Sequence, residues 1–504
     1  MTTNSVFQLK RNQHYLLLLL LLGLLYFPLF HHIAQLPLRI WDEARLAHNA
    51  YEMYKEGHVL VPHFEGKPDM WNLKPPFLVW MQAAFMHMLG PGELAVRLPS
   101  ALAGLLTCLI LFFFFERRLS MPWAGFMAAM VLVTTQGFVH QHATRTGDYD
   151  AMIAFWLTLS SLVFFSAAET GKKSHLYTFW IALGMGVLTK SIVGLFMLPA
   201  LAAYLLWFRK WKSFWKHRHA WYGMLVFIGM VAAYYLGREA VNPGYLQAVW
   251  DNELGGRYSK VVEAHHGDFW FYLTDVIRHD FQAWYLLFPA GLAFGLAARQ
   301  PVIRRFSGFL LCTVVCFFLV ISTAKTKIEW YNVPLYPFLA AGVAIFLYMI
   351  AEVLLSIREW QKLLIPAILL PVVLFLVFTR PYAAMIDKTY MPEEYPHEVV
   401  FYRIGHYLQD ARDGKVDLNG FALIQVDYAA HNSFYINIMR DDGVDVRMGD
   451  YTQLQPGDKV VVFQDHVKNH VMERFEVETL DTWYEVQKWR IVRRLQDETV
   501  ITDQ

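Results

Sequence analysis

Uncharged runs of about twenty residues recur along this chain, and a run of that length fits little besides a membrane-spanning helix. They lie at 12–38, 98–115, 121–139, 151–168, 191–208, 219–237, 281–298, 306–324, 330–351 and 363–379. A shorter run, 174–189, is separated from the next only by Lys190, which makes eleven expected spans. Composition agrees, with 17% charged residues where a soluble chain carries about a quarter. The balance of 44 basic against 43 acidic residues leaves no overall basic field for nucleic acid. Cys108, Cys312 and Cys316 all sit inside apolar runs, so neither a disulfide framework nor a CxxC metal pair is expected.

Basic residues in short loops favour the cytoplasmic side. With the N-terminus inside, Arg117/Arg118, Lys172/Lys173, Arg209 to Arg218, Arg299/Arg304/Arg305 and Arg358/Lys362 all fall there. Letting Pro75–Gly90 span, or merging 174–208, flips every downstream loop. Pro75–Gly90 therefore reads as an interfacial helix, and the first run as a retained anchor rather than a cleaved signal. An odd number of spans puts the C-terminus outside. Residues 381–504 are more polar, and FALIQV (421–426) and KVVVFQ (459–464) alternate with helical patterns, as in a small α/β domain. The expected organisation is a polytopic α-helical membrane domain over 1–380, with outer loops 35–97 and 238–280, followed by a periplasmic α/β domain over 381–504.

Ionisable residues near span ends gather on the outer face: Asp42, Glu43, Asp148 and Asp150 among acids, Lys74, Arg145, Lys190, Arg257, Lys325 and Lys327 among bases, and His265/His266. Such groups are costly beside a bilayer unless paired or functional. Both signs on one face suit a site that handles an anion and also needs a carboxylate. Bland readings compete. Asp42-Glu43 suits any helix start, Lys74 suits a snorkelling lysine, Asp148 and Asp150 suit a helix cap, and a histidine pair alone is weak evidence for metal. Lys190, Lys325 and Lys327 run against the charge rule, which favours function. Trp41, Trp71, Trp80, Trp270, Trp330 and Tyr331 fit an interfacial aromatic belt, of which a minority suits sugar stacking or an isoprenoid groove.

Seven segments in order carry a family resemblance: the loop with Asp42-Glu43, LKPPFLVW (73–80), AVRLPSALAG (95–104), ATRTGDYDAMIAFW (143–156), LTKSIVGLFMLP (188–199), AHHGDFWFY (264–272) and KTKIEWYNVPLYPFLA (325–340). They resemble bacterial members of the dolichyl-phosphate-mannose protein mannosyltransferase superfamily, and most of all its lipid A aminoarabinose transferase branch, over about residues 10–380. The resemblance implies a GT-C fold and a glycosyltransferase of the bacterial inner membrane that uses a polyprenyl-phosphate sugar donor. It implies Asp42 as the catalytic carboxylate with Glu43 beside it, and Asp150 as the acid that opens the fourth span, with Asp148 an additional acid. Lys74 is implied to hold the donor phosphate, with Lys190, Lys325, Lys327 and Tyr331 near it. The branch implies a divalent metal ion with His265 as a ligand. Here Leu73 stands where that branch has the partnering glutamate, leaving Asp69 and Asn72 as the nearest candidates.

The chemistry of the groups agrees. A phosphate-linked sugar departs as an anion, so fixed positive charge in a water-poor site helps it leave, and Lys74, Lys190, Lys325, Lys327 and Arg257 are the candidates. A carboxylate such as Asp42 takes the acceptor's proton, and a single displacement inverts the sugar. The expected acceptor is a lipid, lipid A-like, or a glycan. The alternatives are a protein hydroxyl as acceptor, and a lipid or sugar flippase. A flippase calls for charges at mid-span or broken helices.

Overall fold

The computed structural model describes residues 11–254, 266–355, 365–390, 392, 394–426 and 428–495. They form two compact units, one of 1–33, 58–82 and 97–391, the other of 34–57, 83–96 and 392–504.

Each of the eleven apolar runs carries helix. Among the described residues, seven helices are long and apolar enough to cross a membrane, starting with Asn12–Phe30, and the chain is an integral membrane protein. Pro122–Val133, Leu198–Trp207 and Leu287–Leu296 are apolar but shorter, so length alone selects fewer spans than the eleven expected. Helix Ile365–Tyr390 occupies the last run. The first helix shows what surrounds these elements. Leu17, Leu21, Leu25 and Leu29 form a buried i, i+4 stripe, while Leu16, Leu19 and Leu20 stand more than half exposed. A helix that is apolar all round yet buries one stripe turns its other faces to lipid.

Helices α1 (Tyr149–Thr170) and α2 (Lys173–Lys190) form a tight antiparallel hairpin. Gly171 closes α1 at φ 66°, its N–H donating to Ala167 O, the left-handed cap that glycine adopts without a Cβ penalty. At that end of α1, Glu169 collects Lys210 at 3.0 Å and Arg305 at 2.8 Å, and accepts from Tyr204 Oη. The other end of the hairpin holds Asp150 and Lys190.

In the second unit, helix α3 (Asp42–Glu56) joins α4 (Val399–Arg412), α5 (Ala430–Asp441) and α6 (Asp465–Arg474). The sheet holds β1 (Phe421–Ile424), β2 (Val446–Gly449), β3 (Lys459–Val462), β4 (Phe475–Trp483) and β5 (Val486–Arg494), in the order β2-β1-β3-β5-β4. Strands β2, β1 and β3 run parallel, with Leu423 opposite both Met448 and Val461; β5 is antiparallel to β3 and to β4. The expected alternation of strands and helices is present, and Val460, Val462, Ile424, Trp489 and Ile491 make the core of the sheet. The antiparallel hairpin β4–β5 is not legible in the sequence: β4 is mostly exposed, and register shifts at Glu476/Val477 and Thr479/Asp481 break its period-two pattern.

Candidate active site

In the membrane unit, several of the residues singled out by sequence come together. Lys190 ends α2, where a cation is favoured by the helix dipole, and Asp150 lies in the first turn of α1, where an anion is favoured. Their side chains are each 5% exposed, and Lys190 Nζ donates to Asp150 Oδ1 at 2.5 Å. The same ammonium lies 5.0 Å from the Tyr331 ring centroid. The helix breaks directly after it, at Ser191 with φ 50°. Asp148 occupies the N-cap position of α1 but does not cap it. Its carboxylate accepts from Thr146 Oγ1 at 2.5 Å and lies 3.3 Å from His142 Nδ1, and His142 stacks on Trp330 with centroids 3.6 Å apart. The capping role is thus not what keeps this acid here.

Lys74 reaches the same region through Tyr149, whose ring centroid is 5.4 Å from Nζ; Glu253 lies 4.0 Å from that ammonium. Its loop is tightly held. Asp69 Oδ1 accepts from the N–H groups of Trp71 and Asn72. Fully buried Arg238 donates to Asp69 O at 2.9 Å and stacks 4.0 Å from the Tyr245 centroid, while Tyr245 Oη donates to Leu73 O at 2.7 Å. Sequence reading missed Arg238. An arginine at the end of an apolar helix looks like ordinary snorkelling, and its partner Asp69 is distant in the chain.

Other candidates fare differently. Lys327 is buried, and its ammonium donates to the carbonyls of Ile321, Ser322 and Ala324 at the end of helix Pro301–Thr323. Three donors serve three carbonyls, so this lysine caps a helix. Lys325 is exposed. Arg145 donates to Pro28 O and His31 O at the end of the first helix, a similar capping role. Arg257 and His265 lie outside the described residues. Asp42 and Glu43, in the second unit, open α3: Asp42 is exposed, whereas Glu43 is buried and its Oε2 accepts from Arg39 N at 2.8 Å.

The residues before Lys74 do not suit a metal. Leu73 is buried among Leu188, Tyr234 and Tyr245, the Asp69 carboxylate serves its own turn, and Asn72 Oδ1 accepts from Tyr149 Oη at 3.0 Å.

Two further features of the membrane unit escaped the sequence. An apolar groove of about 400 Å³ is lined by Phe269, Trp270, Val276, Phe281, Phe318 and Ser322. A polar cavity of about 350 Å³ includes Asp275, Asp280 and Asn332. Asn332 Nδ2 donates to both carboxylates, at 2.9 and 3.0 Å, and Tyr336 Oη donates to Asp280. Burial and the adjacent Asp280 push the Asp275 carboxyl up to about 7. A carboxyl whose folded-state pKa is raised stabilises the fold fully below its unfolded value near 4, and loses that contribution as pH climbs through about 7. The melting temperature of the solubilised protein should therefore fall between about pH 4 and 7, and Asp275→Asn should flatten that slope. Parallel slopes for the two proteins would remove Asp275 as the group that titrates there.

Residues 73–235 match the family model described as dolichyl-phosphate-mannose-protein mannosyltransferase. The undecaprenyl phosphate-alpha-4-amino-4-deoxy-L-arabinose arabinosyl transferase of Edwardsiella ictaluri is 28% identical over 327 residues, 62% of this chain and 57% of the relative. The enzyme of the same name from Pseudomonas aeruginosa strain UCBPP-PA14 is 28% identical over 338 residues, 65% of this chain and 58% of the relative. The chain thus spans less than two thirds of the length of the curated relatives it matches. Among solved structures, ArnT of Cupriavidus metallidurans bound to undecaprenyl phosphate superposes with a TM-score of 0.68 at 17% identity, covering 95% of this chain and 98% of that one. The oligosaccharyltransferase AglB of Archaeoglobus fulgidus gives 0.50 at 12% identity, covering 90% and 70%. At these identities the structures speak for the fold. The chain has a GT-C membrane fold, is similar in sequence to these arabinosyl transferases and in fold to ArnT, and matches the dolichyl-phosphate-mannose-protein mannosyltransferase model over residues 73–235.

Proposed function

We propose that this chain is a glycosyltransferase of the bacterial inner membrane. It moves one sugar from a polyprenyl-phosphate donor to a lipid acceptor at the periplasmic face, with the N-terminus in the cytoplasm and residues 381–504 in the periplasm. The observation that carries the reading is the buried Lys190–Asp150 pair beside the Tyr331 ring at one end of the α1–α2 hairpin, with Lys74 on the neighbouring Tyr149 ring. A buried cation fixed at a span end, as Lys190 is, can meet a phosphate without waiting for water to reorganise. The relatives that match the chain by sequence carry undecaprenyl phosphate sugar donors in their names, which supports the same donor class.

In this reading Lys190 and Lys74 neutralise the phosphate as it leaves. Asp150 holds the Lys190 ammonium in place until the donor arrives, and the apolar groove under Phe269 and Trp270 takes isoprenoid units. Asp42 takes the proton of the acceptor hydroxyl, and the displacement inverts the anomeric centre. Lys327 and Arg145 serve the fold. The ion pair sits at helix ends rather than mid-span, which favours chemistry at the membrane surface over translocation.

The test is to compare polyprenyl-phosphate lipids by mass spectrometry in cells with and without the gene. A polyprenyl monophosphate bearing one sugar should accumulate without it, and its mass identifies the sugar. Unchanged lipids under conditions of expression would overturn the donor class and move the flippase reading forward.

A further inference from the structure

We infer that the C-terminal α/β region positions Asp42, with Tyr428 as the positioning residue; this rests on the proposed role of Asp42. The residue before Asp42 is the lever. Trp41 has φ 77° and ψ −118°, a backbone conformation that a bulky residue adopts only when its surroundings impose it. Trp41 is 59% exposed, so burial does not impose it. Tyr428 does: the two rings stack with centroids 5.2 Å apart and planes 9° from parallel, and Tyr428 Oη donates to Trp41 O at 3.2 Å. Tyr428 stands in the loop that leaves the carboxyl end of β1, between β1 and α5. In a parallel sheet that edge is where binding loops are displayed, and here it grips the backbone next to the carboxylate.

The grip is reinforced on both sides. Tyr435 Oη accepts from Leu38 N at 2.8 Å. Arg39 forms a two-point ion pair with Glu398, at 3.0 and 3.1 Å, a geometry that fixes orientation as well as distance. Gly405 of α4 lies so close to Pro37 that a Cβ there would come within 2.6 Å of it. At the far end of α3, Lys55 Nζ lies 2.9 Å from Asp441 Oδ2, and Tyr51 donates to the same carboxylate. Every one of these partners comes from residues 392–504, and all belong to one compact unit with 34–57. Helix α3 is therefore held as a part of the C-terminal domain, and Trp41–Tyr428 is the contact next to the proposed base.

The test uses the full-length protein in detergent or vesicles with its lipid-linked donor. Tyr428→Ala should lower kcat about ten- to hundredfold, since small misplacement of a reacting group costs that much, while KM for the donor stays within about twofold. Tyr428→Phe keeps the stack and should lose far less. Trp41→Gly permits the backbone angle but lacks the ring, and should behave like Tyr428→Ala. Amide hydrogen exchange should quicken across residues 38–46 in Tyr428→Ala but not across β1 or β3, which separates local release from unfolding. If Asp42→Asn is inactive while Tyr428→Ala or Trp41→Gly keeps kcat within about twofold, the positioning role is wrong and the proposed base stands. If Tyr428→Phe is as impaired as Tyr428→Ala, the stack is not what positions the acid. If Asp42→Asn itself turns over normally, the role of Asp42 fails, and the positioning role with it.

Discussion

Asp42→Asn should reduce sugar transfer about 10²- to 10⁴-fold, the usual contribution of a positioned general base, and leave stability within about 0.5 kcal/mol, as for other surface changes. Asp42 is exposed at the first turn of α3 and contributes nothing to the core, and asparagine keeps its shape and its preference for helix starts. The neighbouring acid makes the control. Glu43 is buried and accepts the Arg39 N–H, so it holds the turn. Glutamine preserves that acceptor, and Glu43→Gln should cost far less transfer than Asp42→Asn. The measurement is the initial rate of transfer to acceptor lipid, with melting temperature recorded for each variant. Equal losses in both variants would mean that the pair acts through the fold of the turn and not through a proton. Wild-type turnover by Asp42→Asn would remove it from the mechanism.

A sequence is legible where a local pattern meets a single strong constraint. A lipid phase needs about twenty apolar residues in a row, so the helices are legible. Lys190 stood out because the charge rule places lysines on the other side of the membrane, and the structure finds it buried on Asp150. Lys327 broke the same rule for another reason: three carbonyls at a helix end need a donor, and no pattern distinguishes a cap from a ligand. Pairings between distant segments were not legible. Arg238 with Asp69, Trp41 with Tyr428 and Arg39 with Glu398 join positions far apart in the chain. Each needs the fold before its members can be named.

Lys190→Met should fail twice, in stability and in transfer, and the two failures can be separated. Removing the lysine leaves a carboxylate that is 5% exposed with its closest cation gone, and breaking one side of a buried pair costs about 3–5 kcal/mol. Transfer should fall about 10²- to 10³-fold, the range for losing one preorganised group aimed at developing charge. Asp150→Leu added to Lys190→Met removes the stranded carboxylate, and apolar replacement of a whole buried pair is commonly neutral or stabilising. The double variant should therefore regain most of its thermal stability while transfer stays as low as in Lys190→Met. That outcome assigns the ammonium to the phosphate and the carboxylate to holding the ammonium. Recovery of transfer together with stability would show that the pair serves packing alone, and the donor phosphate would then have to be neutralised from the Lys74 side.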